Sequence, residues 1–369
     1  MISRLPITGF RTALLHQRAP VPVVNGLSKS MKPGGYADGC ADIAYALQSS
    51  GETIITPVPQ PNPTKDLEWS FPDTIEGIRE AINRGANVLW ANTNLHSQHA
   101  IVQIQDELIT KGVRLMGPNP LSAEKYDDKE WTNRWLAQQD GLNDSFPRSM
   151  LYRKGDEDKV AEFPLPAMAK PVKGRGSHGV TKVSTPKEIR DALEILLKES
   201  EAVLIEEYLA GEEITITIMP PGQYTLVGEK KEHWALPVVY RYNQINDLGV
   251  LPWNGTVPVT DNSRVLSKEE HDADPAYAKA QALCVRVAQL LEATSPFRID
   301  CRRKGNGGPF ILFDVNAKPN AGGPGRPGRD KQAALTTMSA NAIGWGWPEF
   351  AVNLLRTATP LQEVLKHNK

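Results

Sequence analysis

The segment 297–320, FRIDCRRKGNGGPFILFDVNAKPN, restricts the fold more than any other. FRIDCRR and FILFDVN read as apolar strands, and KGNGG between them reads as the turn of a hairpin. Side chains repeat every two residues along a strand, so Arg298 and Asp300 share one face, as do Asp314 and Asn316. A strand that only fills a core has no use for Asp and Asn two apart at its mouth. Two carboxylates and an amide oxygen converging there make a hard oxygen site suited to Mg²⁺, completed by phosphates and water. Arg298 is positioned to meet negative charge developing beside such ions. An ordinary structural hairpin with paired charges is the competing reading. The glycines and prolines of AKPNAGGPGRPG, directly after, favour the metal site.

The chain around this hairpin changes character twice. In the first third, the strand-like RTALLHQ, GETIITPV and NVLWANT alternate with CADIAYALQSSG, TIEGIREAINRG and AIVQIQDELITKG, whose apolar residues fall at helical spacing. All three helical segments end in glycine, as helix C-termini often do. Such alternation predicts a parallel sheet flanked by helices, and GPNP at 117–120 reads as its exit. A helix over KYDDKEWTNRWLAQQDG follows. The strands AMAKPV, TKVST and AVLIEEYL then enclose a helix over PKEIRDALEILLKES, with Pro186 suited to its first turn. Beyond ITITIM the strands TLVGEK, WALPVVYRYN and the hairpin look antiparallel, with helices at about 275–292, 331–344 and 348–357. The expected domains are 1–120, 121–209 and 210–369.

Bulk properties remove several function classes. Of the 369 residues, 40% are hydrophobic and 23% charged, and the net charge is -1. That balance gives no electrostatic footprint for nucleic acid or an anionic membrane. No apolar run approaches the ~20 residues of a membrane span. The N-terminal apolar stretch is broken by Pro6, Gly9 and Arg11, unlike a signal peptide. Cys40, Cys284 and Cys301 are scattered without metal-type spacing and read as buried thiols of a reducing, cytoplasmic compartment. His96 and His99 read as a surface loop or helix start.

Two further segments carry chemistry only in combination. KGRGSHGV, residues 173–180, puts glycines and a serine after a strand, with Lys170 just ahead. Glycines admit a polyphosphate close to the backbone, and lysines neutralise it. Taken alone, the stretch reads first as a flexible hairpin loop; its spacing is not that of a P-loop. LIEEYLAGEE crowds Glu206, Glu207, Glu212 and Glu213 together, either as a solvated strand edge or as a nucleotide clamp.

Taken in order, Lys129, Lys170-Pro171 with KGRGSHGV, LIEEYLAGEEIT, RID and DVNAKPN resemble the ATP-grasp ligases. Within these, the chain is most similar to D-alanine–D-alanine ligases and related amino-acid ligases. The resemblance covers roughly 115–325. It implies an α/β ATP-grasp fold with an N-terminal parallel α/β domain, a small central α+β domain and a C-terminal antiparallel-sheet α+β domain. It also implies ATP and two Mg²⁺ ions, Mn²⁺ being the alternative. Lys129 and Lys170 match phosphate-binding lysines, and Gly176, Ser177 and Gly179 match the loop that covers the phosphates. Glu206, Glu207 and Leu209 match the adenine-binding hinge, and Glu213 the ribose carboxylate. Asp300, Asp314 and Asn316 match the metal ligands. Arg298 and the backbone near Asn320 match the groups that hold the tetrahedral oxyanion.

The sequence departs from the family pattern at several of these positions. Asp314 stands where glutamate is common and Glu207 where lysine is common. Asn320 replaces a glycine, and Lys318 adds a charge. Arg241, in the lid-like VVYRYNQINDLGVLPWNG, stands where a lysine is expected. Arg326 and Arg329 are the candidates to hold an acceptor's carboxylate by a forked pair. The expected activity is an ADP-forming joining of a carboxylate and an amine, both small molecules and most simply amino acids, by an enzyme that resembles proteins in which homodimers are common. An ATP-grasp enzyme that phosphorylates or carboxylates its substrate, and a nucleotide sensor without turnover, are the competing functions.

Overall fold

The computed structural model describes residues 9–23, 26, 29, 31–174, 179–242 and 259–366. The first layer is an α/β unit. Strands β1 (Arg11–His16), β2 (Thr53–Ile54), β3 (Phe71–Pro72), β4 (Val88–Asn92) and β5 (Arg114–Met116) alternate with helices. These are α1 (Ala37–Ser49), α2 (Ile75–Asn83), α3 (Ala100–Gln103) and α4 (Gln105–Thr110). Every pairing of β1, and that of β4 with β5, is parallel, as the alternation predicts. The three glycines at helix ends, Gly51, Gly85 and Gly112, all have left-handed φ (+86°, +100° and +66°), which closes a helix without a Cβ clash. AIVQIQDELITKG is two helices, interrupted at Ile104, where φ is -114°.

The second layer follows α5 (Pro120–Tyr126) and α6 (Lys129–Ala137). One helix was expected over 125–141. Asp128 instead adopts an extended backbone, and its carboxylate accepts the Trp131 N–H, so the second helix starts afresh at Lys129. Strands β6 (Ser149–Tyr152), β7 (Ala167–Pro171), β8 (Thr181–Val183) and β9 (Val203–Glu207) pair antiparallel in the order β6-β9-β7-β8. The sheet is backed by α7 (Glu157–Ala161) and α8 (Pro186–Leu196), whose Ile189, Leu193 and Leu196 pack into its core.

The third layer opens with β10 (Glu213–Met219), β11 (Gly222–Tyr224), β12 (Gly228–Lys230), β13 (Trp234–Ala235), β14 (Val239–Arg241) and β15 (Ser263–Val265). Two strand expectations change here. TLVGEK is a turn plus β12, with Leu226 at φ +63°. WALPVVYRYN is broken into β13 and β14 around Pro237, which has no N–H to give the ladder. Helices α9 (Lys268–Ala273) and α10 (Pro275–Leu290) lead to the hairpin β16 (Phe297–Arg303) and β17 (Phe310–Asn316). The sheet runs β15-β14-β10-β16-β17 and is antiparallel throughout. Leu136 of α6 packs into the same core as Ile299, Leu312 and Val315.

The chain then returns to its beginning. Helices α11 (Leu335–Asn341) and α12 (Trp347–Leu355), strand β18 (Thr359–Pro360) and α13 (Leu361–Lys366) complete it. Phe350, Leu354 and Leu355 of α12 share a core with Leu14, Ala44 and Leu47, and β18 pairs antiparallel with β5. Arg326 and Arg329 fasten this junction and do not stand free to hold a substrate. Arg326 Nε lies 2.6 Å from Asp42 Oδ1, Nη2 lies 2.8 Å from Asp66, and Nη1 donates to the Pro63 carbonyl. Arg329 bonds Asp42 at 2.8 Å and Asp38 at 3.2 Å. Asp38 and Asp42 are one helical turn apart on α1, so both face the incoming guanidinium groups.

Both Arg326 and Asp42 are buried, at 3% and 2% exposure. Removing one partner of such a pair strands a buried charge. Asp42→Ala should therefore cost about 3–5 kcal/mol of unfolding free energy, read from urea titration; a loss below ~1 kcal/mol would remove the pair from its docking role.

Candidate active site

The hairpin register carries the site. Asp300 lies directly opposite Asp314, and Arg298 opposite Asn316, so all four side chains share one face of the sheet. A β-bulge follows Asp300, between Asp300 and Cys301. The Arg298 fork grips Asp300 at 3.1 and 3.0 Å, and the Thr215 hydroxyl, opposite Asp300 on β10, donates to the same carboxylate. Asn316 Oδ1 accepts the Lys318 N–H at 3.0 Å.

The facing wall comes from α6 and the second sheet. Lys129 is the first residue of α6, and its N–H donates to the Val172 carbonyl, just beyond β7. Its ammonium lies 2.8 Å from Asp314 Oδ1. Lys170, on β7, bonds Glu206 of β9 at 2.5 Å and donates to the Phe313 carbonyl at 3.2 Å. Asn133, one turn after Lys129, donates to the other oxygen of Glu206 at 3.2 Å. These contacts join the two sheets across a cleft.

Charge states follow from burial and from these partners. Burial by itself would raise the Asp314 carboxyl, but Lys129 and Lys170 hold it below its usual range. Burial opposes the charge on Lys129, and Asp314 overrides it. In Glu206 burial wins, and its carboxyl is raised despite Lys170. Burial also pushes Glu213 up to about 7, against the pull of Arg241 and Arg302. These two arginines are its register partners on either side of β10.

The remaining expected residues distribute around this cleft. Glu207 leaves β9 with its carboxylate 2.9 Å from Lys304, at the hairpin turn, and Leu209 is buried. Tyr208 between them lies under Lys182, 4.2 Å from its ring centroid. Gly179 has φ +73°, and a Cβ there would meet Leu196 and Pro171 at 2.9 and 3.0 Å, so glycine is required. Gly176 and Ser177 lie outside the described residues, as does most of the lid-like stretch after Tyr242. Arg241 reaches Asn262 at 3.5 Å, and its Nε has no hydrogen-bond partner among the described residues. Asn320 is exposed, its Oδ1 accepting the Gly322 N–H. Arg326 and Arg329 are held by α1, as described.

Sequence reasoning missed Asn133 and Thr215. The first was within reach of helix spacing from Lys129, since residues four apart share a face. The second is visible only in the register of β10 against β16. His99 does begin a helix, α3, as its N-cap; its ring also lies 3.2 Å from Asp73 among the strand ends of the first sheet.

Among the described residues no three His, Cys, Asp or Glu side chains gather into a metal site. The hairpin offers two carboxylates and an amide oxygen, a donor set that fits a hard divalent ion whose shell is completed by phosphate and water. The sequence model of the D-ala D-ala ligase C-terminus matches residues 149–323. The D-alanine–D-alanine ligase of Cupriavidus taiwanensis is 28% identical over 265 residues, covering 69% of this chain and 71% of that one. That of Bacteroides fragilis is 30% identical over 175 residues, 46% and 49% of the two chains. Among solved structures, the Bacillus anthracis D-alanine–D-alanine ligase complexed with ATP superposes with a TM-score of 0.62 at 16% identity. It covers 97% of this chain and 99% of that one. The VanG D-Ala:D-Ser ligase from Enterococcus faecalis gives 0.60 at 14%, covering 94% and 98%. The chain has the ATP-grasp fold of these solved structures, and over residues 149–323 it resembles the D-alanine–D-alanine ligases. The β16–β17 hairpin and residues 206–209 both lie inside the matched segment. Among the described residues no helix is long and apolar enough to cross a membrane.

The raised Glu213 gives a pH signature. Its folded value near 7 exceeds the ordinary 4.5, so the folded state binds the extra proton between those values. Its contribution is present below pH 4.5 and is lost as pH rises to 7. Urea midpoints of the wild type should fall relative to those of Glu213→Gln between about pH 5 and pH 8. A constant difference across that range would show that Glu213 titrates normally.

Proposed function

We propose that the protein is an ATP-dependent, ADP-forming ligase that joins the carboxylate of one amino acid to the amine of another. The observation that supports this most directly is the register pairing of Asp300 with Asp314 beneath Lys129 and Arg298. It assembles acidic oxygen donors and cations on one face, as phosphoryl transfer to a carboxylate requires. Asp300, Asp314 and Asn316 would hold two Mg²⁺, which supply charge neutralisation at the triphosphate.

The chain's own groups account for the rest of the chemistry. Lys129 and Lys170 neutralise the phosphate oxygens while the donor carboxylate attacks the γ-phosphorus, giving an acyl phosphate and ADP. The acceptor amine then attacks the acyl carbon, and Arg298 offsets the charge on the tetrahedral oxygen. The C–O bond to phosphate breaks, phosphate leaves, and the amine's proton passes to solvent or phosphate. Positioning and electrostatics do this work, so both must be in place before water reaches the acyl phosphate. Glu206 and the hinge backbone through Leu209 would take the adenine edge, Glu213 the ribose, and the loop with Gly176, Ser177 and Gly179 would cover the phosphates. The region around Arg241 would close over the substrates.

The test is product analysis. The full chain with ATP, Mg²⁺ and pairs of D- and L-amino acids should release ADP and phosphate and yield an amide by mass. A stable phosphorylated or carboxylated product, or no ADP release with any pair, would remove the ligase reading. Asp314→Asn should lower kcat roughly 10²–10³-fold; a kcat within about threefold of wild type would take Asp314 out of the reaction.

A further inference from the structure

Strand β16 carries a third charged side chain on the face of the reaction centre. Arg302 follows Asp300 by two residues and lies opposite Glu213 of β10, as Asp300 lies opposite Thr215. It is buried, at 7% exposure. Its guanidinium turns to the connection between β9 and β10. Nε donates to the Gly211 carbonyl at 3.0 Å, Nη1 lies 3.7 Å from Glu213 Oε2, and the guanidinium carbon lies 5.4 Å from the Tyr208 ring centroid.

The main chain of that connection is already fixed without Arg302. The Ala210 and Gly211 N–H groups donate to the Lys304 and Arg303 carbonyls, and the Arg303 N–H donates to the Glu212 carbonyl. A Cβ on Gly211 would meet the Arg303 Cβ at 2.7 Å, so only glycine lets the two backbones come this close. What Arg302 adds is control of a side chain, Glu213.

A carboxylate that is to accept a ligand's hydroxyls faces two conflicting demands. It must stay ionised although buried, which calls for a cation close by, and it must keep its lone pairs open, which rules out a bonded one. Glu213 is 8% exposed, and burial pushes it up to about 7 against Arg241 and Arg302. Asp300 and Arg298 act on it from farther along β16, with opposite signs. At 3.7 Å, Arg302 Nη1 is inside ion-pair range and outside hydrogen-bond range. Its Nε bond to the Gly211 carbonyl keeps it at that distance.

We propose that Arg302 is a positioning residue for the nucleotide, which, held by the Gly211 carbonyl, keeps the Glu213 carboxylate open toward the cleft to accept the 2′- and 3′-hydroxyls of the ribose. The assignment rests on the ligase reading, which puts the ribose at Glu213. Arg302 acts through Glu213 and not on the reacting atoms. It makes the site selective for a ribonucleotide over its deoxy forms.

The test is a calorimetric titration of ATP, 2′-deoxy-ATP and 3′-deoxy-ATP, each with Mg²⁺, into the full chain. The wild type should bind ATP about 10–100-fold more tightly than either deoxynucleotide, the range for a hydrogen bond to a charged group. Arg302→Met keeps the stem's bulk and should bring ATP to within about threefold of the deoxynucleotides, whose own affinities stay within about threefold of wild type. Arg302→Gln, which can still bond the Gly211 carbonyl but carries no charge, should do the same and takes the place of Arg302→Met if that chain does not fold. Arg302→Lys should restore part of the preference. A wild type that does not discriminate, a preference that survives without the arginine, or an equal loss for all three nucleotides would overturn the assignment. The ligase reading is tested apart from it. ADP release and amide formation with a ribose preference indifferent to Arg302 would keep the ligase and sink the assignment. An Arg302-dependent preference with no ADP release from any amino-acid pair would do the reverse.

Discussion

Everything at the centre of this molecule hangs on the pairing of Asp300 with Asp314 across one hairpin. Two carboxylates placed side by side in a partly buried sheet repel each other and lose hydration. The fold answers with cations from three separate elements. Arg298 comes from the same strand as Asp300, Lys129 from the start of α6, and Lys170 from the second sheet. With Glu206 included, three cations face three carboxylates. The cluster is thus balanced, and it ties two sheets and a helix together by charge, beside the hydrophobic core that Leu136 of α6 shares with the hairpin. That balance also has a chemical consequence. Under the proposed ligase function, a triphosphate arriving with two divalent ions would bring little net charge, and the cluster would exchange protein partners for ligand partners without stranding a buried charge.

Much of this was legible in the sequence because a strand's period of two is rigid. Spacing alone placed Asp314 and Asn316 on one face, and Arg298 with Asp300, and the register joined the two sets. The helix-ending glycines were equally readable, since only a residue without Cβ enters the left-handed region at no cost. Long-range partners were not readable. Arg326 and Arg329 follow β17 closely in sequence and look like substrate groups. Their partner Asp42 lies 284 residues from Arg326 and is brought beside it only by the return of the chain to α1. Nothing in GPGRPGRD encodes that meeting. Local breaks were lost for a related reason. Asp128 lies in a run with good helical spacing, yet its cap to Trp131 restarts the helix and thereby sets Lys129 at a helix N-terminus facing Asp314.

The departures from the family pattern sort by their distance from the phosphates. Near the triphosphate the changes keep charge: Asp314 shortens a carboxylate and retains it. At the hinge Glu207 reverses the sign of the expected lysine, and Lys304 on the hairpin turn returns a cation to within 2.9 Å of it. The pair is neutral where a lone lysine would be cationic.

At Lys318 no carboxylate among the described residues compensates in this way. Lys318 enters a loop next to Asn316, and its only close partner among the described residues is an aromatic ring. A protein gains no stability from a cation left in that state, and a methionine or leucine would fill the same space against Tyr36 at lower desolvation cost. A lysine there therefore costs the fold more than an apolar residue of the same length would. The same argument applies in reverse to Arg326: it is saturated by Asp42, Asp66 and the Pro63 carbonyl, and its cost is fully met within the protein. In this molecule a charge's partners, and not its proximity in sequence to β17, show which groups hold the chain together.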